Sequence, residues 1–431
     1  AASDVYKRQV QRTDGRFPDI APLGGGFGGL LWGSAGITVP WECYQQYGDT
    51  ILLSEHYDAM KRYIQYIIDN TIETETNLIV QTRSWGDLCD WLGLEDEKND
   101  KSLVWEAYFI YDLELMAKMA TVLGKVTDAE WFRELHAARK DFFNKTYIEP
   151  ETGKTLFSAF VPEKKGSHID IQTSYVLPLA FNIIDEENRN KVIANLAETV
   201  RRENTTDRGQ QCPSYSLMTG FIGTSWINKA LSDYGHSDLA YRLLQQTSYP
   251  SWLYSIEQGA TTIWERLNSY TRTDGFGGNN RMNSFNHYSF GAVGAWMYNY
   301  SLGIQRDETF PGFKQFVLKP MPDPTGKMTY ARGYYDSMYG RIESGWKVES
   351  GVIRYTFTVP ANTTATLYLP TASLRDVREK TKPVRKCKGV EFISEGNGEV
   401  VLKLLSGSYS FEVKKDYPLA ARKRKKYVFV R

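Results

Sequence analysis

The chain has 431 residues, of which 42% are hydrophobic and 24% charged, and this ordinary composition argues against a disordered or fibrous protein. Its length predicts two domains with large cores. The formal net charge of +1 argues against nucleic acid as the main ligand, because a duplex-binding surface needs a clear excess of Lys and Arg. No stretch has the apolar length that crosses a bilayer, so the sequence predicts no membrane-spanning segment.

Metals and cofactors are not indicated by the residue pattern. The four cysteines are far apart in the sequence and form no CxxC pair, so we expect no zinc site. No other metal or cofactor motif is present, and the sequence therefore predicts no bound cofactor. Aromatic residues are unusually frequent, at 14%, with 11 Trp and 28 Tyr. Such rings fill a large core, and they also stack on the apolar faces of sugars, which favours a carbohydrate site.

The first residues, AASDVYKRQ, contain neither an initiating Met nor a signal peptide and are typical of a junction or assembly scar. We therefore interpret residues 1–9 as such a scar and expect the natural start to be missing. For the location, a periplasmic or extracellular compartment is favoured over the cytoplasm. Residues 10–36 are rich in Gly and Pro without a helical period, which predicts a loop. A loop of this length in a compact domain is usually functional.

Helices without intervening strands are predicted for most of the next 250 residues. The stretch from Leu103 to Leu123 is apolar on nearly every side, which predicts a buried helix. Thr127 and Glu130 have the spacing of a capping box at the start of the next helix. Further helices are predicted over residues 57–68, 169–181, 186–202, 223–234, 237–247 and 284–301. Alternating buried and half-exposed helices exclude a βαβ design and favour helical hairpins in a ring.

Beyond Gly303 the apolar residues recur with a period of two. Ile353, Tyr355, Phe357 and Val359 alternate with more polar neighbours, and the same alternation occurs in residues 365–369, 400–404 and 409–413. Turn residues at 395–398 and 406–407 separate these runs. The pattern predicts an antiparallel β-sandwich. Residues 416–431 form a basic tail, to which we assign no function.

Glu265 is the candidate catalytic residue. It lies in the stretch TTIWER between Trp264 and Arg266, just before a polar glycine-rich loop. Desolvation on one side and a cation on the other can tune a carboxylate for acid or base work. A Glu beside an Arg is more often a structural ion pair, and the local residues leave that alternative open.

Two stretches together carry a resemblance to a known family. TTIWER at residues 261–266, followed by MNSFNHYSFGAVGAWMY at residues 282–298, closely resembles the bacterial α-L-rhamnosidases of glycoside hydrolase family 78. PGFKQFVLKP and DSMYGRIESGWKVESG, which begin at residues 311 and 336, resemble the β-sandwich that follows the family's catalytic domain. The resemblance covers nearly the whole chain from Val10 to about Val413.

The resemblance implies a mainly α fold, an (α/α)6 toroid of six helical hairpins with its site in a bowl at one end, followed by the antiparallel β-sandwich. The predicted helices are fewer than twelve, so we expect a toroid that is incomplete at its N-terminus. The expected domains are the catalytic domain at residues 10–305 and the sandwich at residues 306–415.

By the same resemblance, Glu265 is the general base and His287 contacts the sugar. His287 could equally be a core imidazole on an aromatic helix, and its FNHYS context favours sugar contact. SWGDLCDWLG at residues 84–93 resembles the family's GDW segment, whose carboxylate and indole contact the sugar. Trp85, Asp87 and Trp91 are therefore candidate sugar contacts, although such Trp residues are as often part of the core.

Other matching residues would build the walls of the pocket. The loop at residues 10–36 resembles a family segment with DGxxPD and then WGDA, and the matching residues are Asp14, Asp19, Trp32 and Trp41. Trp32 and Trp264 are predicted to contact substrate. Two departures weaken the match, because Ser34 stands where the family usually has Asp and Leu267 where it usually has a second Trp. The glycines of TGFIGT, at residues 219–224, are interpreted as serving backbone geometry.

Family 78 is an inverting family, so a general acid and a general base would lie about 6.5 to 9.5 Å apart with a water between base and sugar. In the family the acid lies in a CPxRxERxGWxGD stretch, upstream of the segment that this chain matches. No such stretch occurs in residues 1–431. We therefore expect the chain to carry the base and the pocket walls without the proton donor, and to be weak or inactive alone.

The predicted function is inverting hydrolysis of terminal α-L-rhamnosides in a rhamnose-containing oligosaccharide or glycoside, with no metal. One alternative is a toroid hydrolase or lyase on another sugar, and a lyase would be recognised by an unsaturated uronide product. A second alternative is a non-catalytic carbohydrate-binding protein, which would bind without turnover. Fold-level analogy alone does not decide among these. The sequence does not predict an oligomeric state.

Overall fold

A computed structural model describes residues 7–22, 24–81, 88–277, 283–349, 351–380 and 382–414. The chain separates into two compact units, Ala1–Gly294 and Ala295–Arg431. The sequence pattern predicts a domain boundary between residues 305 and 306, whereas the helical turn Met297–Ser301 lies in the second unit. Two hydrogen bonds hold this turn there, from Trp346 Nε1 to the Ser301 carbonyl at 2.8 Å and from the Met321 amide to the Tyr300 carbonyl at 2.9 Å.

The described part of the first unit has nine helices of six or more residues. They are α1 Ala35–Tyr47, α2 Ile51–Thr71, α3 Lys101–Val122, α4 Val126–Tyr147, α5 Gln172–Ala180, α6 Glu186–Arg201, α7 Phe221–Asp233, α8 Ser237–Gln245 and α9 Trp252–Glu257. Helices α1, α3, α5 and α7 pack against one another in that order, and α2, α4, α6 and α8 each pack on the helix before them. This two-layered order is that of an (α/α)6 toroid, and it confirms the predicted fold class.

Burial separates the two layers. All nine residues of α5 are buried, as are 16 of the 22 residues of α3, because both helices have neighbours on every side. The second-layer helices bury one face only, and in α6 six of 16 residues are buried. Asp100 caps α3 through a hydrogen bond from the Ser102 amide at 2.9 Å. The prediction of a buried helix from Leu103 onwards is confirmed.

Two predicted helix boundaries are wrong. Helix α4 begins at Val126 with Lys125 as its N-cap and no side-chain cap, so Thr127 lies inside the first turn and forms no capping box. The predicted helix over residues 284–301 is a 3₁₀ turn at Ser289–Ala292, one α turn at Val293–Trp296 and the π-helical turn at Met297–Ser301. Residues 284–288 are not helical, because the backbone of Ser284 and His287 is hydrogen-bonded to another segment.

A buried ion pair joins α3 to α4. Glu106 is fully buried, and its Oε1 accepts a hydrogen bond from Arg139 Nε at 2.8 Å, while Arg139 Nη1 also donates to Asn77 Oδ1 at 2.8 Å. We expect Arg139→Met to lower the free energy of unfolding by about 3 to 5 kcal/mol, because it leaves a carboxylate buried without a partner. Urea denaturation measures this loss.

The matched control for Arg139→Met is Lys145→Met on the same helix. Lys145 and Asp141 pair at 2.7 Å with side chains 74% and 61% exposed, so removing this pair should cost less than about 1 kcal/mol. The double variant Glu106→Gln with Arg139→Met should recover part of the loss, since no charge then remains buried. Equal losses for Arg139→Met and Lys145→Met would contradict the prediction.

The second unit is a β-sandwich. The first two strands of the chain, β1 Asn204–Thr205 and β2 Gln211–Cys212, form a hairpin in the first unit. The strands of the second unit are β3 Ile304–Arg306, β4 Gln315–Leu318, β5 Tyr330–Ser337, β6 Gly340–Glu349, β7 Val352–Val359, β8 Thr364–Leu369, β9 Val377–Glu379, β10 Lys382–Pro383, β11 Val390–Gly396, β12 Glu399–Leu404 and β13 Gly407–Lys414. One sheet has the order β10-β9-β13-β7-β6-β5 and the other β11-β12-β8-β4-β3. All their pairings are antiparallel except that of β4 with β8, which is parallel.

Both sheets contribute to one core. Phe316, Leu367 and Leu402 come from the five-stranded sheet, and Tyr355 and Phe411 from the six-stranded sheet. The period-two runs read from the sequence lie on the inward face, which explains why alternate positions in β7 are buried. Over the ranges given above, no helix is both long and apolar enough to cross a membrane.

Candidate active site

The two sequence motifs meet in space. The Glu265 amide donates to the Ser284 carbonyl at 2.8 Å, and the Ser284 amide donates to Glu265 Oε2 at 2.8 Å. The His287 amide donates to the Ile263 carbonyl at 2.9 Å. These bonds hold residues 263–265 against residues 284–287, so the candidate base and the candidate sugar contact lie on paired segments.

The Glu265 carboxylate is held at one oxygen. The residue is 8% exposed, and Oε2 accepts from the Ser284 amide, whereas Oε1 has no hydrogen-bond partner within the described ranges. The carboxylate forms no ion pair with any described residue, so the Glu–Arg alternative left open by the local sequence is not found. A carboxylate with one fixed oxygen and one available oxygen is suited to receive a proton from water.

Aromatic rings pack together beside Glu265. Trp264 is 7% exposed, and its ring lies edge to face with Phe285 at 5.3 Å between centroids. Phe285 in turn contacts Phe276 at 5.6 Å in the same geometry. The indole therefore supports the segment that carries Glu265, and a direct sugar contact by Trp264 stays a prediction.

The imidazole of His287 lies between two rings. It stacks on Phe221 at 4.7 Å between centroids and on Tyr288 at 5.5 Å, and Tyr288 is 86% exposed. His287 Nδ1 accepts a hydrogen bond from the Ser289 amide at 3.4 Å. This acceptor role places the proton of the neutral ring on Nε2, which can then donate to a sugar hydroxyl.

Trp91 is connected to the His287 ring through Phe221, the first residue of α7. It is half-buried, and its carbonyl accepts a hydrogen bond from the amide of Phe221 at 2.9 Å. Asp90, which the sequence analysis does not single out, is 1% exposed and binds the first turn of α7. Burial raises the pKa of Asp90 above its usual value, although its hydrogen bonds act in the opposite direction. The sequence feature that could have identified Asp90 is its position directly before Trp91, in a segment predicted to contact substrate.

A cavity of about 400 Å³ is lined by Trp91 and by sequence neighbours of Glu265, while Glu265 and His287 are not among the described residues that line it. Its lining includes residues 206–208 of the β1–β2 hairpin, together with Trp91, Arg266, Leu267 and Phe290. Leu267 is 8% exposed on the cavity wall, at the position where the family resemblance has a second Trp. Burial raises the pKa of Asp96, which also lines the cavity, to about 6.

The acidic residues of the N-terminal loop brace that loop. Arg16 donates from Nη1 to the Phe27 carbonyl at 3.1 Å and from Nη2 to Asp14 Oδ2 at 2.7 Å. The hydrogen bond to Asp14 holds the pKa of that carboxyl below its usual value. Asp19 is 7% exposed, and its Oδ2 accepts from the Gly28 amide at 3.2 Å. Both carboxylates have protein partners, and no described contact joins either to Glu265.

The remaining predicted wall residues do not all reach the paired segments. Trp32 is half-buried before α1, and its carbonyl accepts from Lys7 Nζ at 3.0 Å. Trp41 is 5% exposed and packs on Tyr44 at 5.5 Å within α1. Trp85 and Asp87 lie outside the described residues. Contact with substrate by Trp32, Trp85 and Asp87 stays a prediction.

Ser34 belongs to the protein core. It is 1% exposed, and its hydroxyl donates to Asp112 Oδ2 at 2.6 Å, while Asp112 Oδ1 is buried without a partner among the described residues. Burial raises the pKa of Asp112 well above its usual value. The substitution of Ser for the family's Asp thus places a hydroxyl against a carboxyl from α3.

Asp112→Asn is expected to stabilise the chain at neutral pH. Because the pKa of Asp112 is higher in the folded state, the folded chain binds more protons than the unfolded chain above the unfolded pKa, and stability falls as the pH rises. The amide does not titrate, so the gain should be on the order of 1 kcal/mol at pH 7 and vanish near pH 3.5, since one pKa unit corresponds to about 1.4 kcal/mol. Urea denaturation at both pH values measures it, and an equal effect at both would contradict the assignment.

Comparison with known proteins gives consistent matches along the chain. The family model for the bacterial alpha-L-rhamnosidase 6 hairpin glycosidase domain matches residues 3–301, and that for the bacterial alpha-L-rhamnosidase C-terminal domain matches residues 303–383. An alpha-L-rhamnosidase of Streptomyces avermitilis is 35% identical over 411 residues, which cover 95% of this chain and 35% of the relative. One from Formosa agariphila is 31% identical over 429 residues, covering 96% of this chain and 43% of the relative.

Solved structures agree with this relationship. The crystal structure of Streptomyces avermitilis alpha-L-rhamnosidase complexed with L-rhamnose has a TM-score of 0.79 at 33% identity, covering 96% of this chain and 36% of that chain. The Dictyoglumus thermophilum alpha-L-rhamnosidase also has a TM-score of 0.79, at 29% identity, covering 96% and 43%. The chain thus spans less than half the length of these relatives. Because one family model matches more than half of it and the second follows directly, the chain belongs to the bacterial α-L-rhamnosidase family.

Proposed function

We propose that this chain provides the general base and part of the sugar pocket for inverting hydrolysis of terminal α-L-rhamnosides. The observation that carries the proposal is the geometry of Glu265, whose Oε2 is fixed by the Ser284 amide while Oε1 is available. Oε1 would take a proton from a water molecule, and the resulting hydroxide oxygen would attack the anomeric carbon opposite the leaving group. The water proton ends on Glu265, and the leaving oxygen keeps the bonding electrons.

The sugar would be held by residues on the paired segments and the adjoining loop. His287 presents Nε2–H as a donor, and the Trp91 indole supplies an apolar ring for a sugar face. The relative with the rhamnose-bound structure supports L-rhamnose as the sugar. A 6-deoxy sugar suits such a pocket, because its methyl group can pack on aromatic carbon while placed polar groups bind its hydroxyls.

Protonation of the leaving oxygen would come from outside residues 1–431. The CPxRxERxGWxGD stretch that carries the acid in family 78 does not occur in this sequence. Without a donor, departure of a sugar or alkyl oxygen as an alkoxide is unfavourable, so we expect such substrates to be cleaved slowly by this chain alone.

The test is the stereochemistry of hydrolysis of α-L-rhamnosyl fluoride, because fluoride departs without a proton. Proton NMR during the first minutes should show β-L-rhamnose before mutarotation, as inversion requires. Initial formation of the α-anomer would contradict the inverting mechanism. Turnover should be accompanied by rhamnose binding in calorimetry, and binding without consumption of the fluoride would support the non-catalytic alternative instead.

A further inference from the structure

The carboxylate of Asp90 receives four hydrogen bonds. Oδ2 accepts from the Gly220 amide at 2.8 Å and from the Thr173 hydroxyl, and Oδ1 accepts from the amides of Ile222 and Gly223 at 2.9 Å each. Three of these donors belong to the start of α7, where backbone amides have no partner within the helix. One buried side chain therefore fixes the loop at residues 88–94 to the first turn of α7.

The two segments approach closely because glycines face each other. A Cβ atom on Gly220 would lie 2.3 Å from the carbonyl oxygens of both Asp90 and Trp91, and 2.4 Å from the Gly93 amide nitrogen. Backbone atoms cannot move aside as a flexible side chain can. The contact therefore depends on Gly220, in agreement with the interpretation that the TGFIGT glycines serve backbone geometry.

The same contact reaches two candidate sugar-binding residues. Trp91 follows Asp90 directly, and its carbonyl accepts from the Phe221 amide at 2.9 Å. The Phe221 ring stacks on His287 at 4.7 Å with an interplanar angle of 28°, and it also contacts Phe290 at 5.4 Å. Displacement of the first turn of α7 would therefore move Trp91 on one side and release the His287 ring on the other.

We propose that Asp90 is a positioning residue, which holds Trp91 and, through Phe221, His287 in the arrangement that binds the sugar. Its importance for catalysis rests on the proposed function, whereas its effect on the His287 ring is a property of the fold. Asp90→Asn tests the proposal, because an amide has one acceptor oxygen and its NH₂ group would face amide donors.

The direct measurement is NMR of the histidine rings in the full chain with ¹³C-labelled histidine. The chain has five His, so the His287 signal can be assigned by its loss in His287→Gln. In Asp90→Asn the ring-current shift that Phe221 imposes on His287 should decrease, with the other four signals unchanged. An unchanged His287 signal in the folded variant would overturn the proposal, irrespective of any activity.

Rhamnose affinity by calorimetry is the second readout, and Asp100→Asn is the matched control. Asp100 is also a fully buried helix-capping carboxylate, which accepts from the Ser158 amide and hydroxyl at 2.7 Å each. We expect the Kd for rhamnose to rise about 10- to 100-fold in Asp90→Asn and to stay unchanged in Asp100→Asn at a similar Tm. Equal affinity of the two variants would show that Asp90 is a structural cap only. Failure of the wild-type chain to bind rhamnose would count against the proposed function, and the NMR comparison still decides the positioning role.

Two further variants apply if Asp90→Asn does not fold. Thr173→Val removes one of the four donors with little change in volume and should shift the His287 signal in the same direction by a smaller amount. Phe221→Leu removes the stacked ring while leaving the Asp90 hydrogen bonds in place, and it should also shift the His287 signal. If Phe221→Leu shifts this signal and Thr173→Val does not, the connection from Asp90 to His287 is rejected.

Discussion

Glu265→Gln is expected to slow hydrolysis of α-L-rhamnosyl fluoride by about 10²- to 10⁴-fold, the usual contribution of a general base. The amide oxygen of Gln can still accept from the Ser284 amide, so residues 263–265 and 284–287 should remain paired. The amide cannot take a proton from water at neutral pH. Initial rates of fluoride release, with rhamnose affinity measured by calorimetry, separate loss of chemistry from loss of binding.

The control for this variant is Glu257→Gln. Glu257 is the exposed last residue of α9, and it forms no hydrogen bond or ion pair with residues 263–265 in the described part of the chain. Its rate should equal that of the wild type. Hydrolysis by Glu265→Gln within a factor of about three of the wild-type rate would remove Glu265 from the role of base, since a general base contributes far more than that.

A leaving group that departs without a proton should be strongly preferred by this chain. The quantity to compare is the ratio of kcat/KM for α-L-rhamnosyl fluoride to kcat/KM for a rhamnose-containing disaccharide. We expect this ratio to be about 10²- to 10⁴-fold larger for this chain than for a longer member of the family, because general acid catalysis contributes that factor. The physical reason is that fluoride is a stable anion, whereas a sugar alkoxide is strongly basic. Rates on both substrates, measured for both proteins, give the comparison.

An aryl series sharpens the measurement. A 2,4-dinitrophenyl rhamnoside should be cleaved almost as readily as the fluoride and a methyl rhamnoside far more slowly, so that the logarithm of the rate falls steadily as the leaving group becomes more basic. Rates independent of the leaving group would mean that a proton donor is present within residues 1–431. Asp96, on the cavity wall with its pKa raised to about 6, would then be the first residue to substitute.

Candidate site residues could be named where a motif keeps its residues in a short stretch, and their roles as general base and sugar contact stay predictions. Glu265 and His287 were identified from TTIWER and SFNHYSFG, and the structure places them on hydrogen-bonded segments. The same stretch misled the helix prediction. Aromatic and small residues from Ser284 onwards have a helical composition, but the amides and carbonyls needed for helix are used in pairing with residues 263–265.

The sequence by itself determined most of the longer helices and the period-two strands with their buried faces, because the periods of 3.6 and two residues express a property of neighbours along the chain. It did not reveal that the carboxylate of Asp90 binds amides 130 to 133 residues away, or that Ser34 donates to Asp112 78 residues further on. A buried polar group takes whatever partner the packing of distant segments brings within about 3 Å. Only the tertiary structure decides those partners, since no local pattern records which backbone amides a loop will meet.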